Sequence, residues 1–317
     1  MSVKLIFLGT SAGLPTVKRG LSCIVLKYHG DLLIFDCGEG AQRNMMIAGI
    51  GFPKNLKIFI THMHGDHVLG LPGLLQTLSL MDRKYDVYVY GPKGIVDFIM
   101  KVKELLQFQI SYDLHISEVT PGIVVEERDY VVKATEAMHF QQSYAYSFEE
   151  KPKPGKFHPD KALALGVPRG PLWKMLQEGK CVLNMFGEPV FPHQVMDPPR
   201  DGIKIVFSGD TRPCGSVLNL SMNADILIHD STFDDSLIDK AISDMHSTAS
   251  EAAEIASKAN VKLLVLTHIS ARYSSSPEVL LKQAKEKFSN VIVAEDFLEL
   301  SISKNAVSLR RLIDPMK

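Results

Sequence analysis

Thr61-His62-Met63-His64-Gly65-Asp66-His67 places three imidazoles and a carboxylate within six consecutive residues. The segment continues from Lys57–Thr61, a short β-branched and aromatic run of the kind buried inside a sheet. Burying so many polar groups costs several kcal/mol unless a metal or a hydrogen-bond network engages them. A His-rich surface loop is the other reading of such a stretch. Imidazole with carboxylate suits Zn²⁺, and also Mn²⁺ or Fe²⁺. Alternate residues point to alternate sides, so His62 and His64 can share one metal while Asp66 and His67 reach a second.

Upstream of this segment the chain reads as β-rich. Val3–Leu8 is strand-like, and Ser22–Tyr28 and Leu32–Cys37 are strand-like runs joined by the turn His29-Gly30-Asp31. Downstream, a helix is expected over Val68–Met81, starting near Gly70-Leu71-Pro72, where Pro is tolerated in a first turn, then a strand at Val87–Tyr90, a helix at Ile95–Leu106 and a strand at Tyr130–Thr135. From about 150 to about 200 the character changes. Pro and Gly punctuate the chain around a short helix near Leu172–Gln177, and dense Pro argues against core strands. Residues 151–180 hold seven Lys/Arg against two Asp/Glu. This is read as an insertion projecting from the main body, for which charge alone favours a solvated loop. Strand and helix then alternate: strands at Ile203–Phe207, Asp225–His229, Leu263–Thr267 and Val291–Ala294, helices at Thr248–Ala259 and Pro277–Phe288. A β-rich half followed by a β/α half fits a four-layer αββα sandwich, which periodicity alone does not select over other α/β folds.

At 317 residues, the chain suits one large α/β core, or a core plus an insertion. Apolar residues make up 45% and charged residues 22%, which excludes disordered and fibrous classes. The net charge of −1 requires any nucleic-acid surface to be a local patch. No secretory leader and no apolar run of membrane-spanning length is evident, and Cys23, Cys37, Cys181 and Cys214 form no CxxC; free thiols and a cytoplasmic protein, with no membrane partner, are expected.

The His62–His67 segment matches the HxHxDH signature of the metallo-β-lactamase superfamily. That resemblance implies an αββα sandwich, here with a projecting basic arm at about 150–200 within one domain of 1–317. It also implies three further ligands at strand ends: His139, Asp210 in Phe207-Ser-Gly-Asp-Thr, and His268 in Leu266-Thr-His-Ile-Ser. The first metal would take His62, His64 and His139, the second Asp66, His67 and His268, with Asp210 bridging. His29, His115, His158 and His193 are read as ordinary surface or hydrogen-bonded histidines.

Five further segments resemble ribonuclease Z, the tRNA 3′-processing endonuclease, in its short form, and the resemblance runs nearly the whole length. Gly9–Gly20 is similar to the family's N-terminal substrate loop, where Lys18 and Arg19 supply cations suited to phosphate. Phe35-Asp-Cys-Gly-Glu-Gly-Ala-Gln42 matches a segment in which Asp36 serves structure rather than catalysis. Ala164–Lys174 resembles the Gly-Pro-containing arm that grips the tRNA body, which makes Arg169 and Lys174 contact residues and Trp173 either a third contact or part of the arm's own packing. His229-Asp230-Ser-Thr-Phe stands where the family has His-Glu-Ala-Thr, and His246-Ser247-Thr248 matches its His-Ser-Thr motif. Thr267-His-Ile-Ser270-Ala-Arg272-Tyr273 resembles the last motif, where Ser270 and Arg272 face the substrate phosphate.

The resemblance implies an endoribonuclease with two Zn²⁺ per chain that removes the 3′ trailer of precursor tRNA by metal-activated attack of water, leaving a tRNA 3′-hydroxyl. Asp66 would take or orient the water's proton, and His246, oriented by Asp230, would protonate the departing oxygen. It further implies a homodimer in which one subunit's arm serves the other's active site. A small-molecule phosphodiesterase, lactonase or thioesterase of the same fold is the alternative, but needs neither a basic arm nor a His-Ser-Thr segment. An mRNA-processing nuclease of the superfamily would carry a large extra domain between the Asp210 and His268 motifs. A non-catalytic RNA-binding protein would not need every ligand position filled.

Overall fold

In the computed structural model, which describes residues 3–303 and 306–313, two mixed sheets lie inside helical layers. The first sheet runs Ala306–Arg311, Leu298–Ser303, Val3–Gly9, Cys23–Tyr28, Asp31–Phe35, Asn55–Phe59, Val87–Gly91 and Leu114–Glu118. The second runs Val291–Val293, Leu263–Thr267, Ile226–Asp230, Lys204–Phe207, Ser143–Glu150, Tyr130–Ala137 and Gly122–Glu126.

Period-two alternation sets the layers. Leu5 and Phe7 point between the sheets and meet Phe35, Phe59, Tyr146 and Phe207, with the Phe35 and Phe207 rings stacked at 3.7 Å. Their neighbours Ile6 and Leu8 face outward and pack with Met45, Leu71, Leu74 and Leu75 from helices Ala41–Ile47 and Gly70–Leu80. On the other outer face, Val206, Leu227 and Leu264 meet Ala252, Ala253 and Ala256 of helix Ala249–Lys258 and Leu280 of helix Glu278–Lys287. Small alanines let that helix approach the parallel strands closely. One buried cluster lies between the sheets and one on each outer face, which gives the four αββα layers.

Some elements differ from expectation. The helix expected over Val68–Met81 runs Gly70–Leu80 and is preceded, across a break at Leu69, by a further helical turn, Gly65–Val68. The break lies where two chain segments cross without room for a Cβ. One added at Gly70 would lie 2.0 Å from the Gly38 carbonyl oxygen, and one at Gly38 would lie 2.3 Å from that of Asp66. Ser143–Glu150 is a strand buried at six of its eight positions although it reads SYAYSFEE. Its hydroxyls find partners, Tyr144 donating to the Val119 carbonyl and Tyr146 to that of Ile60.

Glu150–Gly202 forms a separate compact unit. It holds helices Pro159–Ala164 and Pro171–Gln177 and a small hairpin, Val182–Leu183 with Pro189–Val190, around Ala162, Val167, Leu176, Val182, Val190 and Val195. Trp173 helps close this core, donating to the Val167 carbonyl at 3.0 Å and packing on Phe157. All four cysteines are free. Among the described residues no helix is long and apolar enough to cross a membrane.

Candidate metal centre

The site is built at strand ends of both sheets. Strand Asn55–Phe59 delivers His62 and His64, and the short helix Gly65–Val68 carries Asp66 and His67. His139 follows Tyr130–Ala137, Asp210 follows Lys204–Phe207, and His268 follows Leu263–Thr267 in a left-handed backbone conformation.

Four of the five imidazoles in the two clusters have one ring nitrogen engaged by a protein partner. His62 Nδ1 lies 3.0 Å from Thr61 Oγ1, His67 Nδ1 2.7 Å from Asp36 Oδ2, His139 Nδ1 3.0 Å from the Met245 carbonyl, and His268 Nδ1 2.8 Å from Thr232 Oγ1. Each pairing leaves Nε2 to face the centre. Asp36 also accepts from the Thr61 amide and hydroxyl, so one buried carboxylate orients both the strand end and His67. Asp36 thus acts through orientation, and Thr61, Met245 and Thr232 join it as supports, a part for which the sequence reading does not single them out.

The inward atoms form two groups. His62 Nε2 lies 2.9 Å from His64 Nδ1, which lies 3.2 Å from His139 Nε2. Asp66 Oδ2 lies 3.4 Å from His67 Nε2 and 3.3 Å from His268 Nε2. Asp210 Oδ2 is shared, at 3.6 Å from His62 Nε2 and 3.3 Å from both His67 Nε2 and His268 Nε2. Tetrahedral coordination with bonds of about 2.0–2.1 Å sets ligand atoms about 3.3 Å apart, so both groups have the spacing a cation needs. His67 Nε2 and Asp210 Oδ1 are buried with no hydrogen-bond partner, as atoms reserved for metal would be. The residues therefore fit a binuclear metal site, with Asp210 common to both positions.

The electrostatics agree. Burial, reinforced by His67, pushes the His62 pKa well below the ordinary imidazole value, and burial with His139 lowers that of His64. Both are thus neutral donors. Burial opposes charge on Asp210 and Asp66 too, but neighbouring imidazoles, His268 foremost for both, hold the two carboxylates well below their usual range. His67 behaves oppositely: burial disfavours its charge, yet Asp210 and Asp36 raise its pKa well above the ordinary value. Without metal, His67 therefore holds a proton at neutral pH, and a cation must displace it. Metal affinity should rise with pH, and calorimetry of metal binding in buffers of different ionisation enthalpy should register proton release. Binding heats that do not depend on the buffer would contradict this.

His246 lies at the edge of both clusters, its ring centroid 5.1 Å from those of His139 and His268. Its Nδ1 is 2.9 Å from Asp230 Oδ2. Burial disfavours its charge, but Asp230 more than offsets this and raises the pKa to about 9. Asp230 itself is fully buried and accepts from the Thr211 and Thr232 amides and the Thr232 hydroxyl. The shorter carboxylate therefore does reach His246.

The remaining expected residues are spread wider. In the Gly9–Gly20 loop, the Gly13 amide donates to Asp66 Oδ2 at 2.9 Å and Lys18 is exposed. Arg19, expected at substrate, is instead an internal strut. It is 4% exposed, and its guanidinium donates to Thr10 Oγ1 and the Ala294 carbonyl, which fixes the loop from beneath. Ser270 belongs to the two-residue strand that pairs with Ser11–Ala12, and exposed Arg272 lies over the Phe233 ring, itself 6.2 Å from His246. Arg169 and Lys174 are exposed in the second compact unit.

Comparison with known proteins places this site in a family. The model of the family described as anti-Pycsar protein Apyc1 matches residues 3–151, which stops short of Asp210, His246 and His268. The metallo-β-lactamase fold protein YhfI from Bacillus subtilis superposes with a TM-score of 0.66 over 95% of this chain and 100% of its own, at 17% identity, which identifies the fold. The crystal structure of human tRNase Z, short form, gives a TM-score of 0.69 at 31% identity, covering 95% of this chain and 99% of that one. Ribonuclease Z of Myxococcus xanthus is 41% identical over 92% of this chain and 94% of its own length. Ribonuclease Z of Methanosarcina acetivorans is 48% identical over 95% of this chain and 98% of its own. With identity of this order over more than nine-tenths of its length, the chain belongs to the ribonuclease Z family.

Proposed function

We propose that the protein is a metal-dependent endoribonuclease that cuts precursor tRNA at its 3′ side, leaving a tRNA 3′-hydroxyl and a trailer with a 5′-phosphate. The observation that carries this reading is the adjacency of two ligand clusters sharing Asp210 to a His246–Asp230 pair. Bound divalent cations supply Lewis-acid charge at a phosphoryl oxygen and a nucleophile at neutral pH. Asp66, held ionised below the usual carboxylate range, is a weak base. Its part is to orient the attacking water by accepting a hydrogen bond. His246 keeps its proton at neutral pH and has Nδ1 tied to Asp230, so Nε2 is the ring nitrogen left to protonate the departing 3′-oxygen. Arg272 and Ser270 would hold the phosphate ahead of cleavage, with Lys18 contributing charge from the loop.

The proposal extends to zinc as the metal, supported by the imidazole-rich donor set. It also extends to a homodimer acting on tRNA in the cytoplasm. The resemblance alone supports the dimer, and a molar mass in solution twice that of the chain would bear it out.

The basic unit Glu150–Gly202 has its own small core and is read as the part that grips the tRNA backbone through Arg169, Lys174 and neighbouring cations. Each phosphate neutralised releases condensed counterions, so affinity for precursor tRNA should fall steeply with salt. Replacing residues 151–201 by a short Gly/Ser linker should weaken that binding and flatten the salt dependence. The same variant should keep its metal and its rate on a nitrophenyl phosphodiester. A folded, metal-loaded variant that processes precursor tRNA as well as the parent would contradict the exosite.

A further inference from the structure

Beside His246 lies an ion pair that no reading above uses. Arg212, two residues after Asp210, directs Nη1 to the His246 carbonyl oxygen at 2.6 Å and to Glu251 Oε2 at 2.7 Å, while Nη2 pairs with Glu251 Oε1. Both side chains are largely shielded, Arg212 13% and Glu251 22% exposed. Glu251 is fixed in turn, accepting from the Thr248 amide at 2.9 Å while its own amide donates to Thr248 Oγ1, which closes a capping box at the start of helix Ala249–Lys258. The main chain of Arg212 donates to the Met138 carbonyl at 2.8 Å, next to the ligand His139. Ser247 adds a second stitch to the same turn, its hydroxyl donating to the Thr211 carbonyl at 2.6 Å.

We propose that Arg212 and Glu251 are positioning residues for His246: the guanidinium fork clamps the His246 backbone to a rigid helix cap, while Asp230 orients the ring. The two devices act on different degrees of freedom. Asp230 sets the rotation of the imidazole through Nδ1. Its hold on the backbone of His246-Ser247-Thr248 is one long contact, the Ser247 amide donating to Oδ2 at 3.4 Å, and that segment leaves Met245 with a positive φ of 59° and enters the helix only at Ala249, so the 2.6 Å tie from Arg212 is the closer restraint on its height. A proton donor displaced by about 1 Å loses much of its effect, so a clamp on the carbonyl bears directly on the chemical step. Only a planar fork satisfies both acceptors at once; a lysine ammonium in this place loses the paired geometry.

The inference rests on His246 acting as the acid, and the test separates the two claims. Arg212→Gln, Arg212→Lys, Glu251→Gln, His246→Ala and the double variant Arg212→Gln/His246→Ala are each assayed on precursor tRNA and on bis(p-nitrophenyl) phosphate, with metal content measured. Arg212→Gln and Glu251→Gln should lower kcat on precursor tRNA by about 10–100-fold, the range for groups that orient a functional side chain. KM and metal content should stay near parental values. The nitrophenyl diester, whose leaving group hardly needs a proton, should be spared. Arg212→Lys should recover only part of the loss. The double variant should be no slower than His246→Ala alone, since Arg212 acts through His246. If His246→Ala spares the diester but Arg212→Gln slows both substrates alike, strips metal, or multiplies the His246→Ala defect, the positioning role is overturned and the acid stands. If His246→Ala itself slows both substrates equally, the acid role and the clamp fall together.

Discussion

Asp210→Ala will cost the protein its metal and, with it, its activity. The carboxylate lies within reach of donor atoms from both clusters, and its second oxygen is buried without a partner. Losing an outer partner of a metal ligand already costs about 10–100-fold. Losing the shared ligand should therefore exceed about 10²-fold on precursor tRNA and on small diesters alike. His64→Ala should act the same way on the first position only, because His64 Nδ1 lies against His62 and His139 and is not among the donors grouped with Asp66. Metal content by elemental analysis, alongside both rates, checks the pair. Full occupancy and full rate in Asp210→Ala would contradict its place between the clusters.

The second large effect should fall on one substrate only. His246→Ala removes the proton donor but none of the seven residues assigned above to the two metal positions, so metal content and precursor tRNA affinity should hold. The chemical step on RNA should slow by about 10²–10⁴-fold, the span of general acid catalysis. A diester with a nitrophenolate leaving group should be nearly unaffected, because that leaving group departs without help. Single-turnover rates with saturating enzyme isolate the step. Equal losses on both substrates would show that His246 does something other than protonate the leaving oxygen.

The residues that cluster at the strand ends were readable from the sequence because their chemistry is local. His62 to His67 follow one buried strand, and His139, Asp210 and His268 each stand just past a strand that its apolar, β-branched run announces. Helix Ile95–Leu106 and strand Leu263–Thr267 were legible end to end for the same reason. Ser143–Glu150 escaped because serine, tyrosine and glutamate disguise a strand whose burial depends on hydroxyl partners far away in sequence. The antiparallel pair Leu298–Ser303 and Ala306–Arg311 escaped because its register depends on docking at the edge of the first sheet beside Val3–Gly9. Arg19 shows the limit for side chains. A cation in a Gly-rich loop beside a metal site invites a phosphate, and only the fold reveals that it is buried with Nη1 held by Thr10 and Ala294. The Arg212–Glu251 pair was invisible for the mirror-image reason: 39 residues separate two groups that meet only when the helix cap closes against the Asp210 turn.

The central claim is that this chain uses its binuclear centre to cut precursor tRNA at the tRNA 3′ end. A precursor tRNA of defined sequence, labelled at its 5′ end, should be incubated with the metal-loaded protein, with chelator, and with chelator followed by excess divalent metal. The claim predicts one discrete product ending in a 3′-hydroxyl at the trailer junction, its loss with chelator and its return with metal. A metal-loaded protein that leaves the precursor intact, or that cuts it at scattered positions along the tRNA body, would contradict it.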